Sequence, residues 1–346
     1  MNAVTLRGIG DVAVKSVPDP ELKEPTDALI RVSHSAVCGS DLHVFHGRIV
    51  GVRPDVPIGH EYVGVIQEVG FGVRRFKVGQ RVTGSFFTAC GHCWACTRGL
   101  FSQCTSAALF GFGERFGDLP GSQAEWLRVP NADYTLCDLP DDVTSEQGLF
   151  VGDALSTAFF ATKRGDIHPG DTVVVIGAGP VGLMMVECAL VFGAASVIAL
   201  DRVADRLALA EKLGAVPLLA DETAAKKIRA MTNGRGADVV LEAVGTVDSL
   251  AAACLVARGF GTVSAAGVFA ERTMEVSMGR AFAKDLTIRA GMANVQAQFG
   301  PVLELIRHKK LKPEALITHR LALSDGAKAY ELFNSKKALK VVIEVG

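Results

Sequence analysis

The 346-residue sequence lacks an apolar run long enough to span a membrane. Its charge-free stretch 172–186 is 15 residues long, short of the roughly 18 apolar residues that suggest a transmembrane helix. No membrane partner is expected. An excess of one charge is also missing: Lys and Arg number 36 against 37 Asp and Glu, and the basic block Arg307-His308-Lys309-Lys310 stands alone. Nucleic acid is therefore not an expected partner. The N-terminal Met1-Asn2-Ala3-Val4-Thr5-Leu6-Arg7 has no continuous apolar segment and no small-residue cleavage site, so a cytosolic location is expected. In that reducing setting eight cysteines do not suggest a disulfide framework. Four of them crowd into 90–104, which points to metal instead.

Internal repeats, low-complexity tracts and a long linker are absent as well. At about 150 residues per domain the length suits two domains, and a composition with 49% hydrophobic and 21% charged residues is that of an ordinary globular chain. Six of the eight cysteines and five of the eight histidines precede residue 138. There, short strands such as 28–32, 63–69 and 124–129 are broken by Gly and Pro turns, which predicts a barrel-like β domain.

From residue 171 the pattern alternates. Strands are predicted at 172–176, 196–200, 216–219, 237–241, 262–265 and 286–290, and helices at 181–192, 204–213, 223–231 and 247–257, the grammar of a doubly wound parallel sheet. Beyond it come a helix near 302–308, another after the cap candidate Ser324, and a strand at 340–345. This tail is expected to pack back on the N-terminal domain.

Gly177-Ala178-Gly179-Pro180-Val181-Gly182 follows a strand and opens a helix. Gly177 permits the tight turn, Gly179 a close approach of backbone to pyrophosphate, and Gly182 close packing of helix on strand. Asp201, 19 residues after Gly182, is placed to accept hydrogen bonds from the adenosine ribose hydroxyls and to repel a 2′-phosphate, which favours NAD over NADP. The alternative for Asp201 is plain helix capping. Arg202 beside it could soften the discrimination by pairing with a phosphate.

Cys90, Cys93, Cys96 and Cys104 have two, two and seven residues between them. Four thiolates at that spacing can wrap one tetrahedral zinc and leave no place for substrate, so the site is expected to be structural. Iron or an iron–sulfur cluster is the other metal that such a set suits. Cys38, His60, Glu61 and Asp153 are each ambiguous when taken alone.

Taken together, the chain resembles the zinc-dependent alcohol dehydrogenases of the medium-chain dehydrogenase/reductase superfamily. The likeness is carried by Gly59-His60-Glu61, Gly64, Gly70 and Val73, joined in order by Cys38-Gly39-Ser40-Asp41, the four-cysteine lobe and the glycine fingerprint. The resemblance implies a GroES-like β-barrel catalytic domain, 1–153 and 292–346, with an inserted Rossmann NAD-binding domain, 154–291, and a catalytic zinc in the cleft between them.

Cys38 and His60 match the first two zinc ligands. Asp153 stands where many relatives have cysteine or glutamate, and Glu61 matches an intermittent ligand. Asp41 would accept the free ring N–H of His60; its alternative is capping a short helix. Ser40 matches a hydroxyl that takes the alcohol proton, and His43 could continue the relay or be a plain surface histidine. Ala243, Val244, Ala266, Gly267 and Val268 follow parallel strands and would join Pro180 and Val181 in lining the cofactor. The segment 110–117 would shape the substrate pocket or form a solvent loop.

The activity implied is hydride transfer between a small-molecule alcohol or carbonyl and NAD, with one catalytic and one structural zinc per chain. A polyol, L-threonine or formaldehyde-oxidising dehydrogenase shares these motifs. A catalytically silent dinucleotide-binding protein is the reading from another class. Family habit implies a homo-oligomer, a tetramer or else a dimer.

Overall fold

A computed structural model of the chain describes residues 1–269, 273, 276 and 278–346. It divides into two compact units, 1–156 with 294–346, and 157–293. The first opens with a hairpin of β1 (Asn2–Gly8) and β2 (Asp11–Ser16). Then come β3 (Ala28–Val37), the short α1 (Asp41–Phe45), β4 (Glu61–Val69), β5 (Arg81–Gly84), β6 (Trp126–Val129), α2 (Ala132–Thr135), β7 (Leu136–Asp138) and α3 (Ser145–Val151). A capping box starts α3: Thr144 accepts the Gln147 N–H, and the Gln147 side chain returns to the Thr144 N–H.

The unit boundary falls inside α4 (Ala154–Gly165). The second unit runs β8 (Thr172–Ile176), α5 (Pro180–Val191), β9 (Ser196–Asp201), α6 (Ala204–Lys212), β10 (Val216–Leu219), α7 (Ala224–Met231), β11 (Ala237–Glu242), α8 (Val247–Val256), β12 (Ala257–Ala265), α9 (Met278–Lys284) and β13 (Thr287–Ala290). Its six strands are ordered β10-β9-β8-β11-β12-β13, every neighbouring pair parallel. This is the doubly wound order whose direction reverses between β8 and β11, where such sheets take a dinucleotide. Central strands are buried along their length, as parallel strands covered on both faces are: all six residues of β11 are buried, with Val239, Val240 and Leu241 as its apolar middle.

The chain then re-enters the first unit with α10 (Phe299–Arg307), β14 (His319–Ala322), α11 (Gly326–Asn334) and β15 (Val341–Glu344). β15 pairs antiparallel with β3, in a seven-stranded sheet ordered β14-β15-β3-β4-β5-β7 with β6 also on β3. The fold is that of a GroES-like barrel with an inserted Rossmann domain.

Two local expectations are corrected and one alternative is set aside. The predicted strand at 262–265 begins earlier, because Ala257 already pairs with Ala237 and a register shift with Phe260 at φ 55° separates the two stretches. Ser324 does not cap α11; it lies in a 3₁₀ turn, Leu323–Asp325, and Asp325 holds the capping position. Asp41 is not the cap of α1 but its first residue, after Ser40.

Candidate active site and metal centres

The antiparallel register Ala36 to Glu61 brings the residues just past β3 and just before β4 to one end of that strand pair. Cys38 and His60 therefore become neighbours although 22 positions separate them. Asp153 arrives from the turn between α3 and α4. A Cβ on the preceding Gly152 would stand 2.2 Å from the Gly84 carbonyl oxygen, so only glycine lets that turn approach β5 so closely.

Asp153 Oδ2 then lies 3.2 Å from both Cys38 Sγ and His60 Nε2. The three ligand atoms all fall within 4.8 Å of one another. Ser40 Oγ is 3.1 Å from His60 Nε2 and 3.4 Å from Cys38 Sγ. The other ring nitrogen of His60 faces Asp41 Oδ1 at 2.8 Å, a contact that orients the ring with Nε2 toward Cys38 and Asp153 and would favour the Nδ1 proton once Nε2 ligates a metal.

Electrostatically the cluster is short of positive charge. Burial, with Asp153 and Glu61 adding to it, pushes the Cys38 thiol above its ordinary value. Burial opposes a charged His60 most strongly, but the Asp41 charge together with the contacts to Asp153 and Cys38 outweighs it and holds that imidazole well above the usual range. A thiol, an imidazole and a carboxylate converging where a cation would relieve like charges are a donor set that fits zinc. Glu61 is not part of this cluster. Its carboxylate is fully buried and paired with Lys340 Nζ, which also lies over the Phe150 ring at 5.4 Å. His43 stands apart on α1, half-buried, with Nδ1 lacking a hydrogen-bond partner.

The four lobe cysteines also meet. Their sulfurs lie within 4.8 Å of one another, and backbone N–H groups point at them: Cys90 N–H to Cys104 Sγ at 3.3 Å, Cys93 N–H to Cys90 Sγ at 3.4 Å and Cys96 N–H to Cys93 Sγ at 3.5 Å. Such donors stabilise thiolate. The backbone N–H of Cys96, then that of Thr105, pulls Cys93 down to about 5. This set fits a tetrahedral metal with all positions filled by protein.

In the second unit Gly177 has φ 92°, and a Cβ there would meet Val244 Cγ2 at 2.6 Å. A Cβ on Gly182 would sit 1.7 Å from the Gly177 oxygen, whereas one on Gly179 meets nothing nearer than Arg206 Nη1 at 3.9 Å. The first and third glycines thus close the turn, and the second leaves open space at the N-terminus of α5, a cradle that fits pyrophosphate. Asp201 accepts the N–H groups of Ala178 at 2.6 Å and Val203 at 2.9 Å. Its carboxylate therefore braces the glycine turn, with lone pairs left over. Arg202 is exposed.

The loops bearing Ala243, Val244, Ala266, Gly267 and Val268 lie against each other. A Cβ on Gly267 would be 2.1 Å from the Gly245 nitrogen, and the buried Glu242 carboxylate accepts the N–H groups of Val244 and Gly245.

Residues 24–141 match the alcohol dehydrogenase GroES-like domain family and residues 180–308 the zinc-binding dehydrogenase family. The chain is 36% identical to the uncharacterized zinc-type alcohol dehydrogenase-like protein AdhB of Bacillus subtilis, across 99% of this chain and 100% of that one. Among solved structures it is similar to alcohol dehydrogenase TADH from Thermus sp. ATN1, at 43% identity and a TM-score of 0.97 over 100% of both chains. It is also similar to galactitol-1-phosphate dehydrogenase from Escherichia coli, at 26% identity and a TM-score of 0.88, again over 100% of both.

The chain belongs to the zinc-type alcohol dehydrogenases of the medium-chain dehydrogenase/reductase superfamily.

As a zinc-type alcohol dehydrogenase it is an oxidoreductase of CH–OH donors, built for zinc and a nicotinamide dinucleotide. Among its described residues no helix is long and apolar enough to cross a membrane. Several side chains around the alcohol dehydrogenase site carry no sequence signal. Lys340 is one, because nothing in a lone lysine before a strand announces a buried partner 279 residues away. Phe86 and Phe112 pack on the His60 ring, at centroid separations of 6.1 and 5.4 Å, and Phe110 is buried against Tyr62. Thus 110–117 begins in the core and not as a solvent loop. Arg206, beside Gly179, was equally silent.

Proposed function

We propose that the protein is an NAD-dependent, zinc-dependent alcohol dehydrogenase that interconverts a small-molecule alcohol and its carbonyl compound. The observation that carries this reading is the convergence of Cys38 Sγ, His60 Nε2 and an Asp153 oxygen within 4.8 Å, with Ser40 Oγ beside them. Cys38, His60 and Asp153 would hold the catalytic zinc and the four lobe cysteines a structural one. When bound, the catalytic ion supplies a Lewis acid that lowers the pKa of the alcohol oxygen, and the dinucleotide supplies a hydride acceptor.

The chain's own groups do the rest. Asp41 keeps His60 in one tautomer. Ser40 would take the alcohol proton, and His43, whose pKa burial lowers with Arg48 and His46 adding to it, would pass it on toward solvent. Phe86 and Phe112 wall His60 with apolar surface that excludes water. Gly177, Gly179, Pro180, Val181 and Gly182 would receive the pyrophosphate and Asp201 the adenosine ribose. Ala243, Val244, Ala266, Gly267 and Val268 would line the nicotinamide end. A homo-oligomer is proposed on family habit.

The similarity to galactitol-1-phosphate dehydrogenase favours polyols as a second substrate class. The test is a panel of primary, secondary, polyol and amino alcohols with NAD and with NADP, followed by absorbance of reduced nicotinamide. Turnover of at least one alcohol with NAD as the better cofactor is expected. No turnover of any alcohol by zinc-replete protein would favour a silent dinucleotide-binding protein.

A further inference from the structure

Behind Asp41 lies a buried polar chain that belongs to none of the motifs. Gln123 and Tyr330 are both fully buried. The Gln123 side-chain amide is 3.0 Å from the Ala36 carbonyl oxygen, 3.5 Å from Asp41 Oδ2 and 2.9 Å from the Tyr330 hydroxyl. A carbonyl oxygen only accepts, so the amide nitrogen must face Ala36. The amide oxygen then faces Tyr330, whose hydroxyl donates to it. With the amide so fixed, its second N–H is directed at Asp41.

Asp41 Oδ2 consequently accepts the Cys38 N–H at 2.9 Å and faces the Gln123 amide, while Oδ1 lies 2.8 Å from His60 Nδ1 as an ion-pair contact. The backbone has been shaped around this amide. Gly59, at φ 88°, would place a Cβ 2.4 Å from Gln123 Cγ and 2.5 Å from Cδ, so a side chain at 59 and an amide at 123 cannot coexist. Gln123 is further anchored by its N–H on the Ile58 carbonyl and by its own carbonyl accepting the Val4 N–H.

We propose that Gln123, oriented by Tyr330 of α11, is a positioning residue that locks the Asp41 carboxylate against His60 and so sets the tautomer and hold of that ligand on its metal. The inference rests on His60 being a zinc ligand, as proposed above. A carboxylate left free to rotate would share its Oδ1 lone pairs elsewhere, and the Nδ1 proton of His60 would no longer be fixed. Outer partners of this kind typically change metal affinity by about 10–100-fold; acting one bond further out, Gln123 is expected at the lower end.

The test uses the full-length zinc-loaded protein and follows zinc release into a chromophoric chelator for the wild type, Gln123→Met, Gln123→Glu, Tyr330→Phe and His60→Ala. His60→Ala identifies the catalytic release phase by abolishing it. In Gln123→Met and Gln123→Glu that phase is expected to be faster by about tenfold, in Tyr330→Phe by a smaller factor, with the lobe phase unchanged. In ¹⁵N spectra of the zinc-loaded forms the His60 Nδ1–H should be protected from solvent exchange in the wild type and exchange faster in the variants. A purely structural role would lower Tm and move neither readout, and that result would overturn the proposal. Should Gln123→Met or Gln123→Glu fail to fold, Tyr330→Phe removes one oxygen and still decides it. If His60→Ala removes no release phase, the zinc-ligand reading of the site is overturned, and this inference with it.

Discussion

Ser40 Oγ lies within 3.4 Å of both Cys38 Sγ and His60 Nε2, close to the ligand atoms without being needed to hold them. Ser40→Ala should therefore keep zinc and lose the first station of the proton path. A positioned acid–base group contributes about 10²–10⁴ in rate, so kcat should fall by that factor, with partial rescue at high pH where solvent takes the proton. Near-normal turnover at neutral pH would refute the role. Asp201 has two tasks, because the carboxylate that would meet the ribose also accepts the Ala178 and Val203 N–H groups. Asp201→Ala should narrow the ratio of kcat/KM for NAD over NADP chiefly by weakening NAD, since the ribose hydroxyls lose their acceptor, while loss of the brace on the glycine turn weakens both cofactors alike. An unchanged ratio would move cofactor discrimination to another residue.

At the scale of elements, α7 illustrates how a local sequence signal becomes a pH response. Asp221 precedes the helix, accepts from the Thr223 N–H and hydroxyl at 2.8 and 2.6 Å and pairs with Lys227 at 3.1 Å. The Thr223 hydroxyl, then Lys227, holds its carboxyl at about 2, below the ordinary 3.8. The folded chain thus binds that proton less readily than the unfolded one. The contribution is complete above about pH 4 and disappears as pH falls through about 2. In Asp221→Asn the Tm difference from wild type should be largest near neutrality and shrink toward pH 2; a difference independent of pH would contradict this.

Elements such as β8, β10 and α7 were legible because hydrophobic period and flanking turns are local. The start of β12 was not, because the register shift at Phe260 breaks the apolar pattern that marks 262–265. For Asp41 the alternative of a helix cap is set aside, since α1 starts with it and its carboxylate turns to Cys38 and His60.

Across the whole molecule, the parts legible from the residues themselves are those whose chemistry is contiguous, the glycine fingerprint and the cysteine lobe, whereas Cys38 and His60, ambiguous alone, are read through the family resemblance. The supporting residues escape because they are assembled by distant chain. β15 on β3 delivers Lys340 to Glu61 across 279 positions, and α11 delivers Tyr330 to Gln123 across 207. Removing one partner of a buried pair such as Lys340 and Glu61 typically costs about 3–5 kcal/mol, so these silent positions weigh on stability as heavily as the motif residues do on chemistry. The two donor sets share no residue, which makes metal stoichiometry the most direct test of the whole account. Elemental analysis of protein purified without chelator should give two zinc ions per chain, falling to one in Cys38→Ala while the lobe keeps its own. A single zinc in the wild type, iron in the lobe, or two zinc ions in Cys38→Ala would contradict it.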